Sequence, residues 1–186
     1  MAPVTHVRST LLTSSLVALR QRGLYDAYFA HLSPELQPVM LAMVAGSWVP
    51  LSVGLAHYRA ANALGLSPRE QFDIGHQVAE RIQSSVLGTL ARLAKGAGAT
   101  PWTALENFQR LWDRMLQGGA GAVYRLGPKE ARIEIHGNAL VEIDYCRNGW
   151  RGMFAASAAL FAQKVYVNEQ SSLATPTSMG LRLSWV

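Results

Sequence analysis

The hydrophobic period changes once along the chain, near Gly121, and that change limits the folds open to it. Before Gly121, apolar residues recur every three or four positions. After it, Ile133 and Ile135 alternate with Arg132, Glu134 and His136, and Val141, Ile143 and Tyr145 alternate with Glu142 and Asp144. The first spacing gathers apolar side chains on one face of a helix, and the second on one face of a strand. Helices followed by a small sheet make an α+β layout: an N-terminal helical layer packed on a small C-terminal antiparallel sheet interrupted by one helix. With 186 residues, a single domain over 1–186 is expected, its helical part covering about 9–118 and its sheet part about 121–186.

Within the helical part, Leu11, Leu12, Leu16 and Leu19 predict a helix ending at Gly23. Ser33-Pro34-Glu35 opens a second, carrying Val39, Met40, Met43 and Val44, and Pro50 to Leu64 forms a third that ends at Gly65. Ser67-Pro68-Arg69-Glu70 joins a serine cap, a first-turn proline and a glutamate three residues on, which is a capping box. The stripe behind it runs Ile74, Val78, Ile82, Val86, Leu90 and Leu93 until Gly96 and Gly98, and Gly75 and Ala79 beside the stripe would let another backbone come close. Thr100-Pro101 opens one further helix with Trp102, Leu105, Phe108, Leu111, Trp112 and Met115, stopped by Gly118-Gly119.

In the sheet part, Ala122 to Leu126 is a strand, separated from the next by Gly127-Pro128. A three-residue loop, Gly137 to Ala139, would set Ile135 beside Val141 and Arg132 beside Asp144 in a hairpin. Met153 to Gln163 reads as the interrupting helix. Val165 and Val167 begin a strand, Ser171 to Ser178 is a polar loop, and Leu181, Leu183 and Trp185 alternate to the end.

Several function classes drop out. Cys146 is the only cysteine, so neither an internal disulfide, nor a structural zinc site, nor an iron–sulfur cluster is expected. The net charge of +5 is spread over distant arginines such as Arg8, Arg59, Arg125 and Arg182 rather than gathered in a stripe, which argues against nucleic acid. Leu36 to Ala56 holds no formal charge, but Pro38, Gly46, Pro50 and Gly54 interrupt it, so no transmembrane segment is expected. The opening residues have no secretory pattern, and a cytoplasmic address follows. No glycine-rich phosphate loop is present.

Glu134, His136, Glu142 and Asp144 would share the polar face of the hairpin; that face reads as solvated, and no metal is expected. His57 is either a hydrogen-bonded buried histidine or a ligand contact, and His76 is a surface residue able to pair with Glu80. Cys146 precedes Arg147, which could lower its thiol pKa, yet the identifiable partner of a nucleophilic pair is missing and an inert thiol is expected. The apolar surplus of Trp48, Trp102, Trp112, Phe108, Met115, Tyr124, Phe154 and Phe161 suits either a filled core or the wall of a cavity.

Ser47-Trp48-Val49-Pro50, Ala56-His57-Tyr58, Ala63-Leu64-Gly65-Leu66, Ile74-Gly75, Thr100-Pro101-Trp102, Leu111-Trp112-Asp113-Arg114, Tyr145-Cys146-Arg147-Asn148-Gly149 and Leu183-Ser184-Trp185 together resemble an uncharacterised paralogous family best known from myxobacteria. Its layout is similar to heme-NO-binding domains, 4-vinyl-reductase-like sensor domains and Bet3-type TRAPP subunits, in which helices packed on a small sheet enclose an apolar or cofactor ligand. Heme-NO-binding domains carry the axial histidine on the helix before the sheet and a Tyr-x-Ser-x-Arg clamp; Pro101 to Gln117 contains no histidine, and the clamp is absent. The resemblance therefore implies a non-enzymatic sensory or adaptor domain, without heme or other cofactor, that binds a small apolar ligand between helices and sheet and self-associates as a homo-oligomer. Trp102, Phe108 and Trp112 would form a wall, with His57 or Tyr58 as the polar contact. The alternatives are a structural interaction module without ligand and, third, a heme-binding gas sensor.

Overall fold

A computed structural model describes residues 2–83 and 99–186. Strand β1 (His6–Arg8) leads into α1 (Ser9–Gln21), α2 (Tyr25–Ala30) and α3 (Gln37–Leu41), then β2 (Trp48–Pro50), α4 (Leu51–Asn62) and α5 (Pro68–Gln83). After the undescribed stretch come α6 (Pro101–Leu105), α7 (Phe108–Met115) and β3 (Leu116–Gln117). The C-terminal part is β4 (Ala120–Gly127), β5 (Glu130–His136), a 3₁₀ turn (Ala139–Glu142), α8 (Asp144–Ala159), β6 (Val165–Thr175) and β7 (Ser178–Trp185). This is the expected α+β class, with a four-stranded antiparallel sheet ordered β4-β5-β7-β6. The expected stripe residues Val86, Leu90 and Leu93 and the stop at Gly96 and Gly98 lie outside the described residues.

The capping signals act as read. The Ser67 amide and hydroxyl both donate to Glu70 Oε2, at 2.8 and 2.7 Å, and the Glu70 amide donates back to Ser67 Oγ at 3.3 Å. Thr100 and Thr103 form the equivalent reciprocal pair at the start of α6. Gly23 and Gly65 take positive φ after α1 and α4, a conformation that suits glycine after a helix. Several boundaries differ from expectation. The helix expected from Ser33 begins at Gln37, after a turn through Pro34–Leu36, and ends at Leu41, so Met43 and Val44 lie beyond it. The helix from Thr100 breaks at Glu106–Asn107, where the Asn107 amide group turns back to the Thr103 carbonyl at 3.0 Å.

Helix α8 lies between the sheet and α5, and its buried residues point every way around its axis: Tyr145, Cys146, Asn148, Trp150, Gly152, Phe154, Ala155, Ala156 and Ala158. A helix apolar on all sides is a buried helix. Against α5 the approach is backbone to backbone. A Cβ on Gly75 would fall 2.1 Å from the Gly149 carbonyl oxygen, and one on Gly152 would fall 2.0 Å from the Phe72 carbonyl oxygen. A buried polar chain crosses the same seam: Asn148 Nδ2 donates to Gln71 Oε1 at 2.8 Å, and Arg151 Nη1 donates to Asn148 Oδ1 at 2.8 Å.

The start of α8 overturns the hairpin expected after His136. Val141 does not oppose Ile135, nor Asp144 Arg132; β5 pairs instead with β4 and β7, setting Ile135 opposite Met179 and Arg132 opposite Arg182. The reason is local. Asn138 Oδ1 accepts the Leu140 amide at 3.1 Å and starts a 3₁₀ turn, after which Asp144 sits in the first turn of α8, where a negative charge is favoured. Five alternating residues fit the successive turns of a 3₁₀ and α segment as well as a strand. Helix α8 accordingly starts at Asp144 and not at Met153. The polar stretch Ser171 to Ser178 is also largely strand, because β6 is an edge strand whose polar side chains face water; Leu173 packs over Gly180 of β7. A small second sheet, β2-β1-β3, is made of strands too short to show a period.

Gly152→Ala should therefore destabilise the fold by about 3 kcal/mol, since a helix backbone cannot yield as a side chain can. Gly149→Ala, whose Cβ would meet nothing within 4 Å, should be neutral or stabilising by up to about 1 kcal/mol through helix propensity. Urea denaturation of the two variants checks this.

Candidate functional site

Four helices surround a cavity of about 360 Å³. Helix α5 contributes Ala79, Ile82 and Gln83, and α6 contributes Thr103, Ala104 and Leu105. Helix α7 adds Phe108, Leu111, Trp112 and Met115; α8 adds Trp150, Met153, Phe154 and Ser157, followed by Leu160 and Phe161. One side is an aromatic cluster: Trp112 stacks on Trp150 at 5.8 Å between centroids, and Phe108 meets Phe154 at 5.2 Å. The Trp112 indole N–H donates to the Gly118 carbonyl at 2.9 Å, which fixes the ring. Gly121 of β4 has no side chain to displace Phe108, whose ring lies 2.0 Å from where a Cβ would stand.

The few polar groups in this wall are committed to protein partners. Gln83 Nε2 donates to Ser157 Oγ at 2.9 Å, the Ser157 hydroxyl donates to the Met153 carbonyl at 2.9 Å, and Thr103 Oγ1 accepts the Thr100 amide at 3.3 Å. Water needs two to four polar partners to be held in place, so such a space favours an apolar occupant.

Of the residues expected to form a site, Phe108 and Trp112 line this cavity, as do Met115, Phe154 and Phe161 from the apolar surplus. Trp102, Trp48 and Tyr124 do not. The Trp102 indole donates to the Pro128 carbonyl at 2.8 Å and its ring meets Trp185 edge-on at 5.2 Å, so it ties α6 to the sheet. His57 is fully buried away from the cavity, with Nδ1 2.8 Å from the Tyr28 hydroxyl and Nε2 without a partner. Tyr58 borders a separate void of about 30 Å³, beside Tyr145 and Cys146. The polar contact expected from His57 or Tyr58 is thus absent from this cavity. Trp150, Met153 and Ile82 were not among the expected wall residues. A helical reading of Cys146, Trp150, Met153, Ser157 and Phe161 would have found two of them.

The polar-face cluster is divided. Arg132 Nε lies 2.8 Å from Glu134 Oε1 and His136 Nε2 lies 3.1 Å from Glu134 Oε2, but Glu142 is in the 3₁₀ turn and Asp144 on α8. Among the described residues, no group of three or more histidine, cysteine or carboxylate side chains could hold a metal ion. Cys146 is buried on α8 rather than at a strand end, and burial pushes its thiol well above the usual range. Arg147 is engaged with Glu169 of β6. His76 stands 3.6 Å from Glu80, as expected.

No family model and no curated protein matches the chain, so the likeness to the myxobacterial family finds no support there. Solved structures do match. The Fe(II) unliganded H-NOX protein from K. algicida is 11% identical with a TM-score of 0.68, covering 96% of both chains. A mutant of the T. tengcongensis H-NOX is 11% identical with a TM-score of 0.64, covering 96% of this chain and 97% of that one. An H-NOX structure concerned with heme distortion is 11% identical with a TM-score of 0.65, covering 96% and 94%. At that identity the likeness establishes a shared fold. The described residues do not supply the imidazole, thiolate or phenolate of a heme site: no histidine, cysteine or tyrosine lines the cavity, whose thioethers are Met115 and Met153, and the sequence has no histidine between His76 and His136.

Burial lowers the His57 pKa to about 3. Between that value and the unfolded value of 6.5, the unfolded chain holds the extra proton. Stability is therefore full above pH 6.5 and is lost as pH falls toward 3, with about 2 kcal/mol gone at pH 5. Urea unfolding at pH 7 and pH 5 should show that share of the pH dependence in the wild type and not in His57→Asn.

Proposed function

We propose that the chain is a non-enzymatic sensory or adaptor domain that takes a small apolar molecule into the cavity between α5, α6, α7 and α8. The supporting observation is the cavity itself: about 360 Å³, at the lower end of the span usual for small-molecule sites, with an aromatic wall and polar groups already bonded to protein. Solved H-NOX proteins share the fold, one of them described for the distortion of its heme. What supports a different occupant in this chain is that no histidine, cysteine or tyrosine stands among the described lining residues.

No helix of the described residues is long and apolar enough to cross a membrane.

N-phenyl-1-naphthylamine, an uncharged fluorescent probe, should bind at one saturable site. Ala104→Phe, which fills the cavity from a half-buried position on α6, should weaken that binding at least tenfold and leave the thermal midpoint within a few degrees of the wild type. Absence of saturable binding to the wild type overturns the proposal.

A further inference from the structure

We infer that α3 and the loop after it seat the domain on an anionic lipid surface, whatever occupies the cavity. From Pro38 to Gly46 the chain carries nine consecutive residues without a polar side chain, and no charge occurs from Leu36 to Ala56. Met40 anchors this run in the core and Met43 packs half-buried against it. Val39, Leu41 and Val44 face outward, Leu41 63% and Val44 71% exposed. Single apolar side chains are ordinary on a protein surface, but a contiguous set marks a face that something apolar covers.

The loop is held out and not left loose. Ser9, fully buried at the start of α1, donates its hydroxyl to the Val44 carbonyl at 2.7 Å and accepts the Ser47 amide at 2.9 Å; its own amide donates to the Ser47 carbonyl at 2.8 Å. In α3 the Met40 and Ala42 amides donate to the Leu36 and Pro38 carbonyls, each at 3.0 Å. Backbone groups bonded within the chain can approach hydrocarbon without a large desolvation cost.

Two features select lipid over a protein partner. The run offers no hydrogen-bonding side chain to fix the register of a protein interface, which ordinarily has about one such bond per 100–200 Å², whereas a bilayer requires none. Its border also has the chemistry of an interfacial anchor. The Arg8 guanidinium lies 4.8 Å from the centre of the half-buried Trp48 ring, and Arg114 lines a cleft together with Ala45. Cations and an indole thus stand beside the apolar tip, where anionic headgroups would meet them. Glu35 is the one carboxylate adjoining the run in sequence. With only five residues, α3 lies in the interface and does not cross it.

Vesicle flotation tests the inference. The protein should float with phosphatidylcholine vesicles containing about 30% phosphatidylglycerol, and less with phosphatidylcholine alone. A Leu41→Asp, Val44→Asp double variant, altered only at exposed positions, should lose about fivefold or more of the bound fraction with its thermal midpoint unchanged. Because Cys146 is buried, Val44→Cys gives a single labelling site for an environment-sensitive fluorophore, whose emission should shift to the blue on adding the anionic vesicles. The same label on Ser172→Cys, at an exposed position of β6, should not shift. Failure of the wild type to float with either vesicle overturns the inference, as do equal shifts at the two labels. A dimer seen by sedimentation and abolished in the double variant overturns it too, since a second copy then covers the face.

Discussion

Helices α5 and α8 cross with main chain against main chain, and everything else in the fold is arranged around that contact. Gly75 faces the Gly149 backbone, and Gly152 faces the Phe72 carbonyl, so neither helix can carry a side chain there. The closeness forces the neighbouring residues of α8 outward. On one side Tyr145 and Cys146 pack toward α1 and α4; on the other Trp150, Met153 and Phe154 spread toward α7. The Gln71, Asn148 and Arg151 chain pairs polar groups that the seam buries, and Arg151 Nη2 reaches on to the Val167 carbonyl of β6 while its Nε is buried without a partner. Sheet, central helix and outer helices are thereby held in fixed order.

The cavity follows from the same constraint. Where α5 and α8 meet at glycines there is room for almost nothing, and further along, where the helices carry Ala79, Ile82, Met153 and Ser157, large side chains from α6 and α7 wall the space beside the Gln83–Ser157 hydrogen bond. Phe108 and Trp112 hold that wall in place because Gly121 and the Gly118 carbonyl receive them. Solved H-NOX proteins share the fold that holds these residues.

Much of the fold was legible in the sequence where local signals agree with tertiary packing. The capping box at Ser67, the Thr100-Pro101 opening and the glycine stops at Gly23 and Gly65 marked helix ends, and Gly75 pointed to a close helix approach. The segment after His136 was misread because its alternation spans only five residues, and the deciding group, the Asn138 side chain, acts as a cap rather than through hydrophobicity. The pairing of β5 with β7 is a long-range choice that spacing does not encode. Phe108 and Trp112 could be found because α7 has a clear apolar stripe, whereas Trp150 was hidden by the strand assigned to its neighbours. His57 looked like a site residue by type; its partner Tyr28 is 29 residues away, and nothing local announces that contact.

Xenon-pressurised crystals test the central claim most directly, because xenon enters dry apolar space and reports its position. The account predicts xenon density among Phe108, Trp112, Met153 and Phe154. Crystals in which side chains fill that volume and xenon is absent from it would contradict the account.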